Sequence, residues 1–308
     1  MNVIGDTGAL DRAMGCLAGL AVGDALGTTL EFESPGSFKP IDDIVGGGPF
    51  HLKPGQWTDD TSMALCLAES LLECGGFDLR DQADQYVRWW REGYLSATGL
   101  CFDIGNTVSA ALASFLRTGK PDSGSASPHA AGNGSIMRLA PVPIYYKVAG
   151  DAVKQSVESS RSTHQAPACL DACRYLGGIL WALIHGAGKD EVLGPLYSPL
   201  GTLRLDDPAL RAVAHGSFKE KQPPAIRGTG YVVQSLEAAL WAFYHSDNFK
   251  EGALLAVNLG DDADTTGAIY GQIAGAYYGL EGIPAAWLET LHQRELILDF
   301  GKRLYEAA

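Results

Sequence analysis

Two stretches of the chain carry a glycine at every fourth position. They are Gly15, Gly19, Gly23 and Gly27 in the first stretch and Gly267, Gly271, Gly275 and Gly279 in the second. A glycine inside a helix costs about 1 kcal/mol relative to alanine, so a helix with four of them needs a compensating interaction. Glycines four residues apart form one smooth ridge along which another helix backbone can approach closely. The pattern therefore predicts two tightly packed core helices that hold their flanking segments in fixed positions.

Helical periodicity also dominates the rest of the chain. Apolar residues recur at three- and four-residue spacing, which is typical of helices that face a core. This spacing predicts helices over 9–27, 60–75, 78–92, 103–117, 151–161, 166–186, 231–245, 249–259, 264–279 and 285–305. Strand-like runs are few and short, so we expect an all-α fold in one domain that spans residues 1–308. Long loops are expected at 33–57, 118–135 and 194–230, and long loops in a compact domain are often functional.

Composition narrows the class of protein. Hydrophobic residues make up 46% and charged residues 19%, which is ordinary for a soluble enzyme. The formal net charge of −13 argues against nucleic acid as a partner, because phosphate binding needs a basic surface. An acidic protein that handles an anionic ligand needs a local remedy, such as metal ions or helix N-termini.

The chain is expected to be cytoplasmic. It shows no basic region followed by an apolar run and a cleavage site, so no signal peptide is indicated. None of the six cysteines forms a C-x-x-C pair, and we expect reduced, buried thiols. The apolar stretch 13–30 contains G-x-x-x-G, which can mark a membrane dimer, but Asp24 lies inside it and disfavours a membrane span.

Two acidic segments stand directly before helices. The first is 57–61, with Thr58, Asp59 and Asp60, and the second is 260–266, with Asp262, Asp264 and Thr265. A single Thr or Asp suffices to cap a helix, so both segments hold more carboxylates than capping needs. Two unit charges 4 Å apart repel by about 4 kcal/mol at an effective dielectric of 20, whereas a helix dipole returns about 0.3–1 kcal/mol. If the segments meet in space, bound cations resolve the repulsion, and oxygen ligands suit Mg²⁺ or Mn²⁺.

Other polar residues have both an ordinary and a functional interpretation. Glu31 can be a solvated surface residue, and Asp103 can be the N-cap of the helix that follows it. The segment 132–135 could present backbone N–H groups to a phosphate. His164 precedes a helix and can be a cap or core residue, and Tyr231 could stack on a flat ligand group.

Taken together, these segments resemble the ADP-ribosylglycohydrolase family. The resemblance runs in order along nearly the whole chain and is carried by 23–27, 46–50, 57–61, 103–107, 132–135, 163–164 and 260–279. The segment 230–241 is similar to the dinitrogenase-reductase-activating glycohydrolase branch, whose members act on ADP-ribosyl-arginine.

The resemblance implies a compact all-α fold with a two-metal centre that holds Mg²⁺ or Mn²⁺. By motif match, the metal ligands are Thr58, Asp59, Asp60, Asp262, Asp264 and Thr265. Glu31 lies at or near the metals and Asp103 beside the substrate ribose, and one of these two carboxylates acts as general acid or base. Substrate binding is assigned to Asn106, Asn133, Gly134, Ser135, His164 and Tyr231. Where the family often has G-G-D-x-D-T, this chain has an extra acid, Asp261, which is a rival candidate ligand.

We therefore expect a metal-dependent hydrolase that cleaves the N-glycosidic bond between ADP-ribose and an arginine of a modified protein. Hydrolysis of serine-linked or small-molecule ADP-ribose conjugates, and two-metal phosphoester hydrolysis, are the alternative reactions. A binder of ADP-ribose without turnover is the non-enzymatic alternative. We expect a monomer with no nucleic-acid partner and no membrane segment.

Overall fold

A computed structural model of the chain describes residues 7–307. Within this range, β structure is limited to three isolated bridges, and the predicted all-α class is confirmed. The helices are α1 (Thr7–Gly27), α2 (Asp59–Cys74), α3 (Leu79–Glu92), α4 (Asn106–Thr118), α5 (Pro141–Tyr145), α6 (Ala149–Ser160), α7 (Pro167–Ile184), α8 (Lys189–Val192), α9 (Pro208–Ala214), α10 (Val232–Tyr244), α11 (Phe249–Val257), α12 (Ala263–Tyr278), α13 (Ala285–Thr290) and α14 (Arg294–Glu306). Short 3₁₀ turns occur at Thr28–Leu30, Pro128–Ala130 and Ser217–Lys219.

The two glycine-rich helices, α1 and α12, pack against each other through their glycines. A Cβ added to Gly19 would lie 2.2 Å from the carbonyl oxygen of Gly271, and one added to Gly271 would lie 1.9 Å from that of Gly19. The same mutual approach joins the pairs Gly15–Gly275 and Gly23–Gly267. Any side chain at these positions would force the backbones apart, which explains why the sequence tolerates the cost of glycine inside both helices.

This pairing is antiparallel and determines which helix ends are neighbours. A Cβ on Gly27, at the end of α1, would lie 2.3 Å from the carbonyl oxygen of Ala263, at the start of α12. Helices α7, α10 and α11 enclose α12 from other sides, and α2 and α14 pack beside α1. The segment that leaves α1 and the acidic segment that enters α12 therefore lie side by side at one end of the core.

The helix predicted over 285–305 is interrupted. Gln293 has a left-handed backbone (φ 54°), and α13 ends before it. Tertiary hydrogen bonds hold the break: the His292 N–H donates to the carbonyl of Gly55, and the indole N–H of Trp57 donates to the carbonyl of His292. These partners lie far away in the sequence, so local periodicity could not reveal the interruption.

Other boundaries also differ from the prediction. Helix α4 begins at Asn106 rather than at 103, since Asp103 has φ 59° and cannot be helical there. Helices α5 and α8 were not predicted, and α9 lies inside the predicted loop 194–230. All three are short, so their apolar residues do not repeat often enough to give a helical period.

The buried surroundings of two apolar helices bear on the membrane question. Gly8–Leu30 and Pro167–Ile184 are long and apolar enough to cross a membrane, but 89% and 78% of these windows are buried inside the protein. Buried core helices of soluble proteins pass the same test, so the two helices are weak support for a membrane span.

The six cysteines are free, and the predicted burial was wrong for Cys74, which is exposed, and for Cys101, which is partly buried.

Candidate active site

The two acidic segments meet at the end of the core where α2 and α12 begin. The Thr58 hydroxyl lies within hydrogen-bond distance of Asp264 Oδ2, at 3.2 Å, and the Thr265 hydroxyl donates to Asp60 Oδ1, also over 3.2 Å. Each segment thus supplies a threonine to a carboxylate of the other, across about two hundred residues of sequence. The two acidic segments therefore converge in the folded protein.

The side chains of the two acidic segments do not cap α2 or α12. Thr58 is the N-cap of α2 and Asp262 the N-cap of α12, and neither makes a side-chain capping hydrogen bond. Helix α2 is capped instead from α1: Asp24 Oδ1 accepts from the Thr58 N–H (2.9 Å) and hydroxyl (3.0 Å), and Oδ2 accepts from the Thr61 N–H (3.0 Å) and hydroxyl (2.6 Å). The remaining acids are therefore free to face a ligand.

Asp24 is the residue whose role sequence reasoning missed. It is fully buried, and burial raises its pKa to about 6 while its four hydrogen bonds oppose the shift. Those bonds fix the first turn of α2, and with it the direction of Asp59 and Asp60. The available signal was a single carboxylate inside the otherwise apolar part of this helix, residues 13–27, because such a group is costly unless it is hydrogen-bonded.

The acids of the cluster are strongly coupled. Burial, and then the charges of neighbouring carboxylates, raises the pKa of Asp59, Asp60 and Asp264 well above that of a free aspartic acid. The same causes raise the pKa of Glu31 to about 10 and that of Asp103 to about 7. Without a cation, protons must partly neutralise this cluster.

The residues present fit a divalent cation. Carboxylate oxygens of Glu31, Asp103 and Asp264 all lie within 4.8 Å of one another. Glu31 Oε2 and Asp60 Oδ2 are buried and have no hydrogen-bond partner, although buried carboxylate oxygens are normally satisfied. An all-oxygen donor set with unsatisfied atoms is what hard cations such as Mg²⁺ or Mn²⁺ require.

Asp103 lies within this cluster. Its left-handed backbone, just before α4, carries the carboxylate to the oxygens of Glu31 and Asp264, while the side chain stays partly exposed. It is therefore not the N-cap of α4; Gly105 holds that position.

Asp261, the rival candidate ligand, points elsewhere. Its Oδ2 forms an ion pair with Arg227 at 2.8 Å, and 20% of its side chain is exposed. Its backbone pairs with the segment after α1: the Asp261 N–H donates to the carbonyl of Glu33, and the Phe32 N–H donates to the carbonyl of Asp261. The neighbouring Asp262 lines the cavity instead, and its Oδ2 accepts from the Asn133 amide at 2.8 Å.

A cavity of about 390 Å³ opens over the acidic cluster. Most of the residues expected at the site line it, namely Glu31, Asp59, Asp60, Asp103, Asn106, Asn133, Gly134, His164, Asp262, Asp264 and Thr265. Thr107, Val108, Met137 and Gly230 line it as well and were not expected from sequence. The cavity thus has an acidic floor and a wall of loop backbone and apolar groups.

Three of the expected residues do not line this cavity. Thr58 is buried beneath it, bonded to Asp24 and Asp264. The Ser135 hydroxyl is buried beside the Cys173 thiol. Tyr231 borders an adjoining hollow of about 300 Å³, which shares Thr107, Gly132 and Gly230 with the cavity.

Comparison with known proteins agrees with the geometry. The family model described as ADP-ribosylglycohydrolase matches residues 6–308. The chain is 45% identical over 307 residues to ADP-ribosylarginine hydrolase Tri1 of Serratia proteamaculans (strain 568), a match that covers 99% of this chain and 82% of that protein. It is 46% identical to ADP-ribosylarginine hydrolase Tri1 of Pseudomonas putida (strain GB-1), over 97% of this chain and 79% of that protein.

Two further similarities extend the comparison. The chain is 33% identical to the ADP-ribosyl-[dinitrogen reductase] glycohydrolase of Rhodospirillum rubrum, over 92% of this chain and 91% of that protein. A solved structure described as an ADP-ribosylglycohydrolase-related protein complex superposes with a TM-score of 0.87 at 44% identity, covering 97% of this chain and 98% of that one.

Proposed function

This chain belongs to the ADP-ribosylglycohydrolase family, and we propose that it removes ADP-ribose from arginine side chains of modified proteins. One observation carries the choice of arginine: two proteins named ADP-ribosylarginine hydrolase are 45% and 46% identical to it over nearly its whole length. The acidic cluster beneath the cavity supports the same proposal, because it supplies the oxygen donors that metal-assisted hydrolysis needs.

The cofactors in this proposal are two divalent cations, Mg²⁺ or Mn²⁺. The residues that would hold them are the cavity-floor oxygens of Glu31, Asp59, Asp60, Asp103, Asp262, Asp264 and Thr265, with Thr58 supporting Asp264 from below. When bound, such ions would help to orient an oxygen-bearing substrate and would lower the pKa of a water molecule. Their charge would also offset the acidity of these carboxylates towards a ligand with two phosphates.

The residues of the chain have distinct parts in the reaction. Asp24 and the threonines fix the acids in place before substrate arrives, which reduces reorganisation during the reaction. Asn133 donates to Asp262 and so orients it. Glu31, Asp103 and Asp264 form a three-acid group, and of these only Asp103 stays partly exposed in the cavity. We therefore assign to Asp103 the exchange of a proton with water or with the leaving group.

The reaction breaks the bond between the anomeric carbon of the ribose and a guanidino nitrogen of arginine. A water oxygen bonds to the anomeric carbon, the carbon–nitrogen electron pair goes to the guanidino nitrogen, and that nitrogen takes up a proton. The attacking water loses a proton to a carboxylate, so free ADP-ribose and unmodified arginine are the products.

The test is incubation of arginine-ADP-ribosylated protein with the enzyme, with products identified by mass spectrometry. We expect intact ADP-ribose, activity with Mg²⁺ or Mn²⁺, and loss of activity in EDTA. Asp264→Asn should lose activity, whereas Asp261→Asn, which changes the neighbouring acid outside the cavity by the same atoms, should keep it. Unchanged modification with both metals would contradict the arginine assignment.

The same assay separates the alternatives. Release from serine-linked or small-molecule conjugates, without release from arginine, would move the enzyme to a different acceptor. Release of AMP or inorganic phosphate would indicate phosphoester hydrolysis. Tight binding of ADP-ribose without any product would indicate a binding protein.

The proposal also includes a protein substrate, a monomeric enzyme and a cytoplasmic location. The six free cysteines support the cytoplasmic location, since thiols stay reduced there. The net charge of −13 argues against a nucleic-acid partner. Light scattering coupled to gel filtration, with and without the modified protein, tests the oligomeric state.

A further inference from the structure

Arg138 is a fully buried cation beside the candidate active site. It is 1% exposed, and among residues 7–307 it forms no salt bridge. Its guanidinium lies 4.6 Å from the ring centre of Tyr86 and donates to the Thr163 hydroxyl over 2.7 Å. Burying a guanidinium costs free energy unless it is hydrogen-bonded. The shortest hydrogen bond of Arg138 is the one to Thr163, so this contact is the one to explain.

The hydrogen bonds of Thr163 determine the tautomer of the next residue. Thr163 Oγ1 accepts from Arg138 and lies 2.8 Å from His164 Nδ1, and it has no other partner in the described chain. The guanidinium can only donate, so it takes one lone pair of the hydroxyl oxygen. If Nδ1–H donated to the other lone pair, the buried hydroxyl proton would have no acceptor, which costs about 1–3 kcal/mol. Thr163 therefore donates to Nδ1, and the ring proton of a neutral His164 is on Nε2.

The imidazole of His164 is neutral, and its Nε2 and Cε1 atoms face Gly132 and Gly134. Burial, and then the charge of Arg138, lowers the pKa of His164 to about 3. A Cβ on Gly134 would lie 2.8 Å from Cε1, too close for the ring to keep its place, and one on Gly132 would lie 3.2 Å from Nε2, a tight contact. His164 lines the cavity, and Nε2 has no hydrogen-bond partner within residues 7–307.

We propose that Arg138 and Thr163 are positioning residues that fix His164 as an Nε2–H donor in the wall of the substrate cavity. The group that this donor recognises is an oxygen acceptor of the ligand, either on the ADP portion or on the terminal ribose. The choice of ligand rests on the proposed function, whereas the tautomer follows from the hydrogen bonds alone.

The tautomer is measured directly on the free protein. Histidine labelled with ¹⁵N gives long-range proton–nitrogen correlations that distinguish Nε2–H from Nδ1–H. The chain has seven histidines, so the signals of His164 are identified by their absence in His164→Gln. We expect Nε2–H in the wild type and in Thr163→Ser, which keeps the hydroxyl, and a changed pattern in Thr163→Val. Nδ1–H in the wild type would overturn the proposal without affecting the proposed function.

Binding and kinetics test the consequence. Losing one oriented hydrogen bond corresponds to roughly a 3- to 10-fold loss of affinity. We expect Thr163→Val to raise the KM and the Kd for ADP-ribose by this factor with kcat changed by less than about twofold, and Thr163→Ser to restore both. Calorimetry with ADP as a second ligand locates the acceptor: an equal loss for ADP places it on the ADP portion, and a loss for ADP-ribose alone places it on the terminal ribose.

Two controls keep these results interpretable. Thermal melting of each variant shows whether it is folded, and the NMR measurement on the wild type stands even if Thr163→Val does not fold. Wild-type affinity of folded Thr163→Val for both ligands would refute the positioning role. Failure of the wild type to bind ADP-ribose at all would contradict the proposed function and leave the tautomer assignment to the NMR result.

Discussion

Removing divalent cations with EDTA should lower the thermal stability of the protein, and the loss should grow as the pH rises. The reason is the three-acid group of Glu31, Asp103 and Asp264, whose oxygens lie within 4.8 Å of one another. Since 4.8 Å is the upper limit of these separations, each ionised pair repels by about 3.5 kcal/mol or more at an effective dielectric of 20. A bound cation removes this repulsion, whereas the metal-free protein must hold protons instead.

The size of the effect follows from ligand linkage. A cation present at a hundred times its Kd stabilises the folded state by about 2.7 kcal/mol. For a chain of this length, each kcal/mol shifts the Tm by about 2 °C, so EDTA should lower the Tm by roughly 5 °C. The Asp264→Asn protein should lose this metal-dependent increment. Its metal-free form should also be at least as stable as the metal-free wild type, because two repulsive pairs are removed.

The direction of the pH dependence is set by the raised pKa values. The folded pKa is about 7 for Asp103 and about 10 for Glu31, and the unfolded values are about 3.9 and 4.3. Between these values the folded metal-free protein holds more protons than the unfolded chain, so its stability falls as pH rises through the folded pKa. From pH 6.5 to 8, Asp103 alone contributes a loss of about 1 kcal/mol. The depressed pKa of His164 acts oppositely below about pH 6.5, so measurements stay above that pH.

The assay is a set of calorimetric melts at pH 6.5, 7.2 and 8, with EDTA or with Mg²⁺ or Mn²⁺. Asp261→Asn is the matched control, since it removes one neighbouring carboxylate outside the cluster and should keep the full metal increment. A wild-type Tm that does not respond to the cation, or an Asp264→Asn protein that responds as the wild type does, would refute the reasoning.

Two further predictions concern the positions that hold the site together. Gly271→Ala should destabilise the fold by about 3 kcal/mol or more, measured by denaturant unfolding, because its Cβ would lie 1.9 Å from a facing carbonyl oxygen. Gly150→Ala, in α6 with no atom within 4 Å of the added Cβ, should be neutral or stabilising by up to about 1 kcal/mol, and an equal loss in both variants would contradict the packing argument. Asp24→Asn should weaken metal binding at least tenfold in calorimetry, while the circular dichroism spectrum stays helical. The reason is that an amide cannot accept all four hydrogen bonds from Thr58 and Thr61. Unchanged metal affinity would show that Asp24 does not orient the acids.

Local sequence determined the elements from which the site is made. Three- and four-residue periodicity located most of the long helices to within a few residues, because burial of one helix face imposes that period on the sequence. The glycine at every fourth position of α1 and α12 indicated close backbone contact, since four interior glycines would otherwise weaken a helix. The excess of acids before α2 and α12 indicated a cation site, because like charges gather only where something offsets them.

Tertiary structure decided how those elements meet. The sequence pattern does not say that α1 packs on α12, or in which direction. That pairing depends on the shape of both helix surfaces along their whole length. The antiparallel contact of Gly19 with Gly271 is what brings the segment after α1 to the start of α12. The position of Asp103 within the acidic cluster follows from a single left-handed residue before α4, and the cap that Asp24 provides for α2 joins residues more than thirty positions apart.

The choice between neighbouring acids shows the division most clearly. Residue type and position alone leave Asp261 and Asp262 both as candidate ligands, since both are aspartates before the same helix. In the folded protein, Arg227 holds the first outside the cavity and Asn133 holds the second inside it. Residue type and spacing fix which chemistry is available at such a site, but only distant partners in the folded chain fix which side chain faces the ligand, because their energies depend on three-dimensional neighbours.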